Sequence, residues 1–408
     1  MRDSYSGSIT VSKTAGGGSI PSSRALKHPC KFVYMDSYDI IIIGGGPAGA
    51  TAGFALAKSG KRVLIIDKEV FPREKLCGGM ITEKCIKILN EVYGDLELEK
   101  IIDSKNNCYE IYKKDGSRLN ECISATRNLY FVNRIEFDAY LFNKALSAGC
   151  AYKQDRVVKV ENKKVFLASG LTLESEFIIG ADGANSVVRK FVSNKVRAKK
   201  TLALEIEADY QDIVCLKDGI FPQLYFGFIN CGYAWVFPKK NKASIGIGGI
   251  IGKNEADMGK LFADFLTLVL GAKADKYKSE IKGFPVPMHN LLRKPVKDNV
   301  LLIGDAAGLV DPITGEGIHY AVFSGLAVAR CILGNNTKEN YEKYFYKNFY
   351  REFVIADIFK RIFFYRTLHP YFLKKIGEGK KYVNLCFDLI SGEFEYSKLL
   401  RKILTKQK

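Results

Sequence analysis

The segment Gly44-Gly45-Gly46-Pro47-Ala48-Gly49 carries a GxGxxG spacing, Gly53 follows four residues on, and Asp67 stands twenty-three residues after Gly44. That set of residue types handles phosphate. Gly44 permits a tight turn, Gly46 lets bare backbone approach a pyrophosphate, and Gly49 allows a helix to lie close against a strand. A helix opening at Pro47-Ala48 would present free N–H groups and partial positive charge to the phosphates. Asp67 can accept hydrogen bonds from a ribose diol. Together they form a dinucleotide-binding fingerprint, which alone does not choose between NAD and FAD.

The flanking pattern supplies the elements this chemistry needs. Ser37–Ile43 reads as a buried parallel strand, since Ile40 to Ile43 are too apolar to alternate. Pro47–Ser59 reads as an alanine-rich helix, and Arg62–Ile66 as a second buried strand that delivers Asp67. This is one βαβ unit. Between about 196 and 285 the character changes. Leu202–Tyr210, Gln223–Phe228, Gly232–Phe237 and Ala243–Ile250 read as antiparallel strands broken by Gly and Pro. Asn299–Ile303 predicts a short buried strand and Gly317–Leu333 a helix.

Composition bounds the rest. The chain has 408 residues, 47% hydrophobic and 26% charged, which excludes a disordered or collagen-like protein. Lys+Arg minus Asp+Glu is 62 − 44 = +18, a balance that suits an anionic partner such as a phosphorylated ligand or an acidic membrane surface. The ten cysteines form no CxxC pair, and reduced thiols in a cytoplasmic protein are expected. The four histidines, His28, His289, His319 and His369, are too few and too scattered for a zinc constellation or a nucleophile motif. No metal site is expected, and no apolar run approaches the length of a transmembrane helix. Residues 1–34, rich in Ser and Gly with one acid, read as a disordered or non-native extension, with a transit peptide as the alternative. Residues 337–408 hold 16 Lys/Arg, 8 Asp/Glu and 17 aromatics. They read either as a packed helix pair with solvated basic edges or as a lipid-facing surface. No nucleic-acid-binding pattern appears.

Two later motifs decide the cofactor. Gly180-Ala181-Asp182-Gly183-Ala184-Asn185-Ser186, with Arg189, follows an expected strand Phe177–Ile179. Gly304-Asp305-Ala306-Ala307-Gly308 follows Asn299–Ile303 and leads to Pro312 and Gly315-Glu316-Gly317. In this order and spacing the chain resembles the FAD-dependent oxidoreductases of aromatic-hydroxylase architecture. The resemblance implies an α/β fold: a discontinuous Rossmann-like FAD-binding domain from 35–195 and 285–335, an antiparallel β-sheet substrate domain at 196–284, and a helical C-terminal segment at 336–408. It places Asp305 on the flavin ribityl chain and Gly315, Gly317 and Ile318 along the pyrimidine edge of the isoalloxazine. It implies further contacts from Asp182, from Arg134 near the pyrophosphate or ribityl region, and from Val158 at the adenine end. A surface ion pair with Asp138 is the other reading of Arg134. His319 either faces the flavin or packs its own helix.

Two more segments narrow the family. Phe71-Pro72-Arg73-Glu74-Lys75-Leu76-Cys77-Gly78-Gly79 resembles the FPRxKxCGG signature, and Gly232-Tyr233-Ala234-Trp235-Val236-Phe237-Pro238-Lys239 the YxWxFP signature, of the geranylgeranyl reductase family, which includes the archaeal digeranylgeranylglycerophospholipid reductases. The likeness runs from about Asp36 to about Leu333. Tyr233 and Trp235 are two apart on a strand and face one side. They can wall a polyprenyl chain or simply fill sheet core. Cys77 with Gly78 and Gly79 brings a thiol and bare backbone toward the flavin, or is an inert buried cysteine. The candidate catalytic residues are Cys77, Tyr233 and Trp235. The implied reaction is FAD-dependent saturation of C=C bonds in a prenylated lipid or prenyl diphosphate. NAD(P)H, ferredoxin or another reductant would serve as donor, with peripheral membrane contact. A flavin monooxygenase or halogenase shares the three flavin motifs, but the CGG and YxWxFP pair and the lack of a WxWxIP run argue against it. An electron relay to a quinone-like partner is the third reading. A cluster-bearing relay would need a ferredoxin-like Cys segment that the chain lacks.

Overall fold

A computed structural model describes residues 37–94, 96–123, 127–193, 201–214, 221–251, 257–288, 291–334, 337–392 and 395–405. The N-terminal extension, His28 and His289 lie outside the described residues.

A parallel sheet is built around Tyr38–Ile43. Val63–Asp67 pairs with it on one side and Thr172–Gly180 on the other, both parallel. Ala151–Gln154 extends the first side and Val300–Leu302 the second. Helices Pro47–Lys58, Arg134–Ser147 and Ile318–Leu333 pack on this sheet. Layers on both faces explain why Ile40, Ile41 and Ile42 are all apolar and at most 1% exposed. Close helix packing needs small residues. A Cβ at Gly325 would stand 2.5 Å from the Ala48 carbonyl oxygen.

The second, seven-stranded sheet runs in the order Lys282–Pro285, Thr201–Asp209, Lys242–Ile250, Gly232–Pro238, Gln223–Phe226, Cys108–Lys113, Arg118–Ile123. All neighbours are antiparallel except Gln223–Phe226 with Cys108–Lys113. Two strands therefore come from a hairpin at 108–123, far upstream of the 196–284 span in which the sheet was expected. Its turn has a readable cause. Gly116 sits at φ +81, and Asp115 accepts a hydrogen bond from the Ser117 N–H at 2.9 Å. Helix Met258–Leu270 covers one face of this sheet through Phe262, Phe265 and Leu266.

The C-terminal segment is not a helix pair. It comprises Thr337–Phe345, a wider turn Tyr346–Tyr350, then Arg351–Phe363, His369–Glu378, Lys380–Ile390 and Tyr396–Thr405. Its aromatics bind it to both sheets. Tyr341, Phe345, Phe349 and Phe353 pack into the parallel-sheet core, and the Tyr341 hydroxyl donates to the Leu302 carbonyl at 2.8 Å. Val383 and Phe387 pack beside Tyr109, whose hydroxyl donates to the Val383 carbonyl at 2.9 Å.

Candidate active site

The glycine turn is fixed by sterics. Gly44 has φ +103, and a Cβ there would lie 2.3 Å from the Ala181 carbonyl oxygen. A Cβ at Gly49 would lie 1.9 Å from the Gly44 oxygen. Asp67 receives the Gly45 N–H at 2.7 Å on one carboxylate oxygen and the Glu69 N–H at 2.9 Å on the other. It therefore holds the turn, with lone pairs remaining for a ribose. Helix Pro47–Lys58 begins at Gly46 with no side-chain cap and no acid in its first turn. Its orphan N–H groups are left for an anion. The Arg73 guanidinium comes within 3.3 Å of where a Cβ of Gly46 would stand. It sets a cation beside the glycine turn that the glycine motif alone does not reveal.

The opposite end of the groove is set by Asp305, in the short helix Gly304–Ala307. No donor among the described residues reaches its carboxylate. Burial pushes its carboxyl up, and Lys75 and Arg134 partly offset this. One of its oxygens lies 3.5 Å from a Cβ built on Gly317. Gly317 caps Ile318–Leu333, and that helix start also has no side-chain cap and no first-turn acid. An unpartnered carboxylate beside a bare glycine and an open helix N-terminus fits a polyol chain and an electron-rich ring edge. These residues fit FAD.

Other expected contacts are placed differently. The Asp182 carboxylate closes its own loop, accepting from the Ser186 hydroxyl and from the Val187 N–H at 2.6 Å. Arg134 is buried rather than at the surface. Its Nε and Nη2 both donate to Asp138 at 2.8 Å, and Arg73 also reaches Asp138, at 3.3 Å. Val158 is 52% exposed on the hairpin Val157–Glu161 and Lys164–Leu167. The tie from this region to the turn runs through Asp155, whose N–H meets the Asp67 carbonyl at 3.0 Å. His319 is buried with neither ring nitrogen partnered, and its ring stacks on Phe323. Burial holds it well below the usual histidine range.

The two family signatures meet in space. A Cβ on Gly78 would lie 2.8 Å from the Phe237 ring and 3.3 Å from Trp235 Nε1. Gly79 has φ +75, and its N–H points to the Cys77 sulfur at 3.4 Å. The Tyr233 hydroxyl donates to the Thr314 carbonyl and lies 3.7 Å from a Cβ on Gly315. The Trp235 indole lies over Gly246 and Gly248, and its Nε1 donates to the Ser244 hydroxyl at 3.1 Å. Tyr233 and Trp235 line a cavity of about 100 Å³ with Ile250, Met288, Ile313 and Phe364. Its mainly apolar wall reaches Gly315, and Gly78 packs against the Trp235 indole that forms part of it.

The comparisons fit this geometry. The family model described as an FAD binding domain matches residues 37–221. A digeranylgeranylglycerophospholipid reductase of Methanosarcina mazei is 30% identical over 319 residues, covering 71% of this chain and 74% of the relative. The chain belongs to the geranylgeranyl reductase family. A geranylgeranyl diphosphate reductase of Rhodobacter capsulatus is 28% identical, covering 90% of this chain and 93% of that one. Among solved structures, a geranylgeranyl bacteriochlorophyll reductase-like protein of Thermoplasma acidophilum shares the fold, with TM-score 0.67 and 22% identity over 90% of this chain and 99% of that one. A flavin-dependent brominase shares it equally well, with TM-score 0.67 and 19% identity over 91% of this chain and 100% of that one. The fold alone thus does not separate reduction from oxygen chemistry. This member of the geranylgeranyl reductase family is an FAD-dependent oxidoreductase.

Buried titratable groups around the site of this geranylgeranyl reductase family member were not legible in its motifs. Burial pushes Lys75 down to about 8, and its Nζ sits over the Phe284 ring. Burial raises Glu316 to about 7 even though the Thr82 hydroxyl donates to it at 2.9 Å. Tyr396, near the end of the chain, donates its hydroxyl to Asp311 in the same loop region. Glu205, 3% exposed on the antiparallel sheet, is raised to about 7 by burial, with Lys239 and the Ser244 hydroxyl partly offsetting. A carboxyl whose folded value is raised stabilises the fold below its unfolded pKa. That contribution is lost as pH rises through about 7. The variant Glu205→Gln should therefore match the parent in thermal unfolding near pH ~4. It should exceed the parent near pH ~8 by up to roughly 3 kcal/mol. Equal unfolding curves at both pH values would show that Glu205 does not titrate in this window.

Proposed function

We propose that the protein saturates carbon–carbon double bonds in geranylgeranyl chains of a prenylated glycerophospholipid or prenyl diphosphate. The observation that carries this reading is the apolar pocket walled by Tyr233 and Trp235 and reaching the Gly315 loop, with Gly78 packed against the Trp235 indole. When bound and reduced by NAD(P)H, ferredoxin or another donor, FAD supplies a hydride.

An isolated trisubstituted alkene is a poor hydride acceptor, so placement and timely protonation must carry most of the rate. The aromatic wall orients the chain without asking it for hydrogen bonds. The Tyr233 hydroxyl is tied to Thr314 and fixes the ring edge above Gly315. Cys77 is the candidate proton donor to the second alkene carbon, regaining its proton from water. Gly78 leaves the space in which its loop meets Trp235 and Phe237. As the chain becomes saturated, hydride and proton add across one double bond and no leaving group departs.

The test is anaerobic re-oxidation of the reduced protein, followed at the flavin absorption band. A geranylgeranyl lipid should drive re-oxidation, and its fully saturated analogue should not. Cys77→Ala should slow this step about 100-fold, within the range of general acid catalysis. An unchanged rate in Cys77→Ala would remove the thiol from the mechanism. Equal behaviour of the two lipids would remove the activity.

A further inference from the structure

The helix Arg351–Phe363 has two working faces. Its inner face carries Phe353, Ala356 and Lys360, each at most 6% exposed. Lys360 and the following Phe364 also line the prenyl pocket. Its outer face carries Val354, Ile358 and Ile362, spaced four apart and 40%, 53% and 43% exposed. The ridge continues into Tyr365, Leu368 and Tyr371. Isolated exposed apolar residues are ordinary, but a ridge at helical spacing marks an interaction surface.

The charges beside the ridge have one sign. Lys347, Arg351 and Arg366 are exposed along it. Of the nearby acids, Asp357 is taken by Lys360 and Arg361. Glu352 is turned inward to accept the Ser397 N–H. A second copy would bring the same cations against these, on a chain of net charge +18. The complementary partner is anionic and apolar at once, which describes a bilayer with acidic headgroups.

We propose that the outer face of Arg351–Phe363, with the turn that follows it, docks on an anionic lipid bilayer. Val354, Ile358 and Ile362 enter the headgroup boundary, and the flanking cations meet the acidic headgroups. The pocket lining at Lys360 and Phe364 lies on the opposite side of the same helix, about 10 Å across. A prenyl chain would then pass from membrane to pocket without crossing bulk water. The inference rests on the proposed activity for its purpose, though not for its test.

The experiment is flotation of the full-length, FAD-loaded protein with vesicles of phosphatidylcholine alone or mixed with phosphatidylglycerol. The protein should float with the mixed vesicles and less so at high salt. The double variant I358S/I362S should reduce the partition about tenfold or more. It should keep its FAD and its turnover of detergent-dispersed prenyl lipid. A parent that ignores the mixed vesicles, or a variant that floats as the parent does, would overturn the proposal. So would a dimer of the parent that dissociates in the variant, since the face would then belong to a second copy. A parent that floats but leaves dispersed prenyl lipid unreduced would contradict the proposed activity and leave the docking face standing.

Discussion

Replacing Gly49 with alanine should strip the protein of FAD. In an ordinary helix this change favours folding by about 0.5–1 kcal/mol, because glycine loses more backbone entropy. Here the sign reverses. The new methyl would lie 1.9 Å from the Gly44 oxygen and 3.1 Å from the Ile42 side chain, and the first of these is backbone that cannot rotate away. Helix Pro47–Lys58 must lift from its strand. That moves its N-terminal N–H groups off the phosphate position and opens the turn that Asp67 holds through Gly45. The expected result is an FAD affinity about 100-fold weaker and a loss of roughly 2–4 kcal/mol in unfolding free energy. Flavin content after gel filtration and denaturant titration read the two effects separately. Gly334→Ala is the control. A Cβ there would meet the Arg330 oxygen at 3.5 Å, an ordinary contact, so flavin and stability should persist. Full flavin occupancy in Gly49→Ala would refute the steric account of the turn.

The second large effect should come from the far side of the pocket. A Cβ at Gly246 would stand 2.2 Å from Trp235 Cζ2 and 2.9 Å from the Leu204 oxygen. Gly246→Ala therefore pushes the indole off its strand and breaks its hydrogen bond to Ser244. The pocket wall changes shape, while the glycine turn, Asp305 and Gly317 are untouched. The kcat/KM for prenyl lipid should fall about 100-fold, roughly 3 kcal/mol of transition-state stabilisation. FAD affinity should stay within about twofold. Trp235→Phe keeps an aromatic wall and loses only the Nε1 donor, so it should cost about tenfold. Steady-state kinetics on one substrate series decides between the two. If kcat/KM in Gly246→Ala equals that of the parent, Trp235 does not shape the reacting site.

The sequence is most legible where local pattern and tertiary role agree. The Ile40–Ile43 run, the glycine turn and Asp67 announce a strand, a helix start and a second strand, because a doubly covered parallel strand must be apolar throughout. The strands between 201 and 250 are equally visible. The hairpin 108–123 is not, since it joins their sheet by pairing Glu110 with Gln223, a contact no local pattern encodes. Arg134 and Asp138 stand at ion-pair spacing, yet spacing says nothing of burial, and both are buried. Glu205 looks like an outward polar residue on an alternating strand. Only the packed fold makes it a buried acid. Arg73 reads as part of a signature rather than as a neighbour of Gly46. Composition left residues 337–408 between a packed and a lipid-facing role, and helix Arg351–Phe363 shows why. Phe353 and Ala356 pack inward while Val354 and Ile358 face out.

The central claim is that this pocket reduces prenyl alkenes, and product mass tests it most directly. The FAD-loaded protein is reduced with dithionite under anaerobic conditions, mixed with a geranylgeranylated lipid, and the lipid is analysed by mass spectrometry. The account predicts stepwise gains of one H2 for each double bond saturated, with no dependence on oxygen. A lipid left unchanged without oxygen, together with oxygen consumption in air and a product that has gained an oxygen atom, would contradict it. The same fold would then be carrying out monooxygenase chemistry.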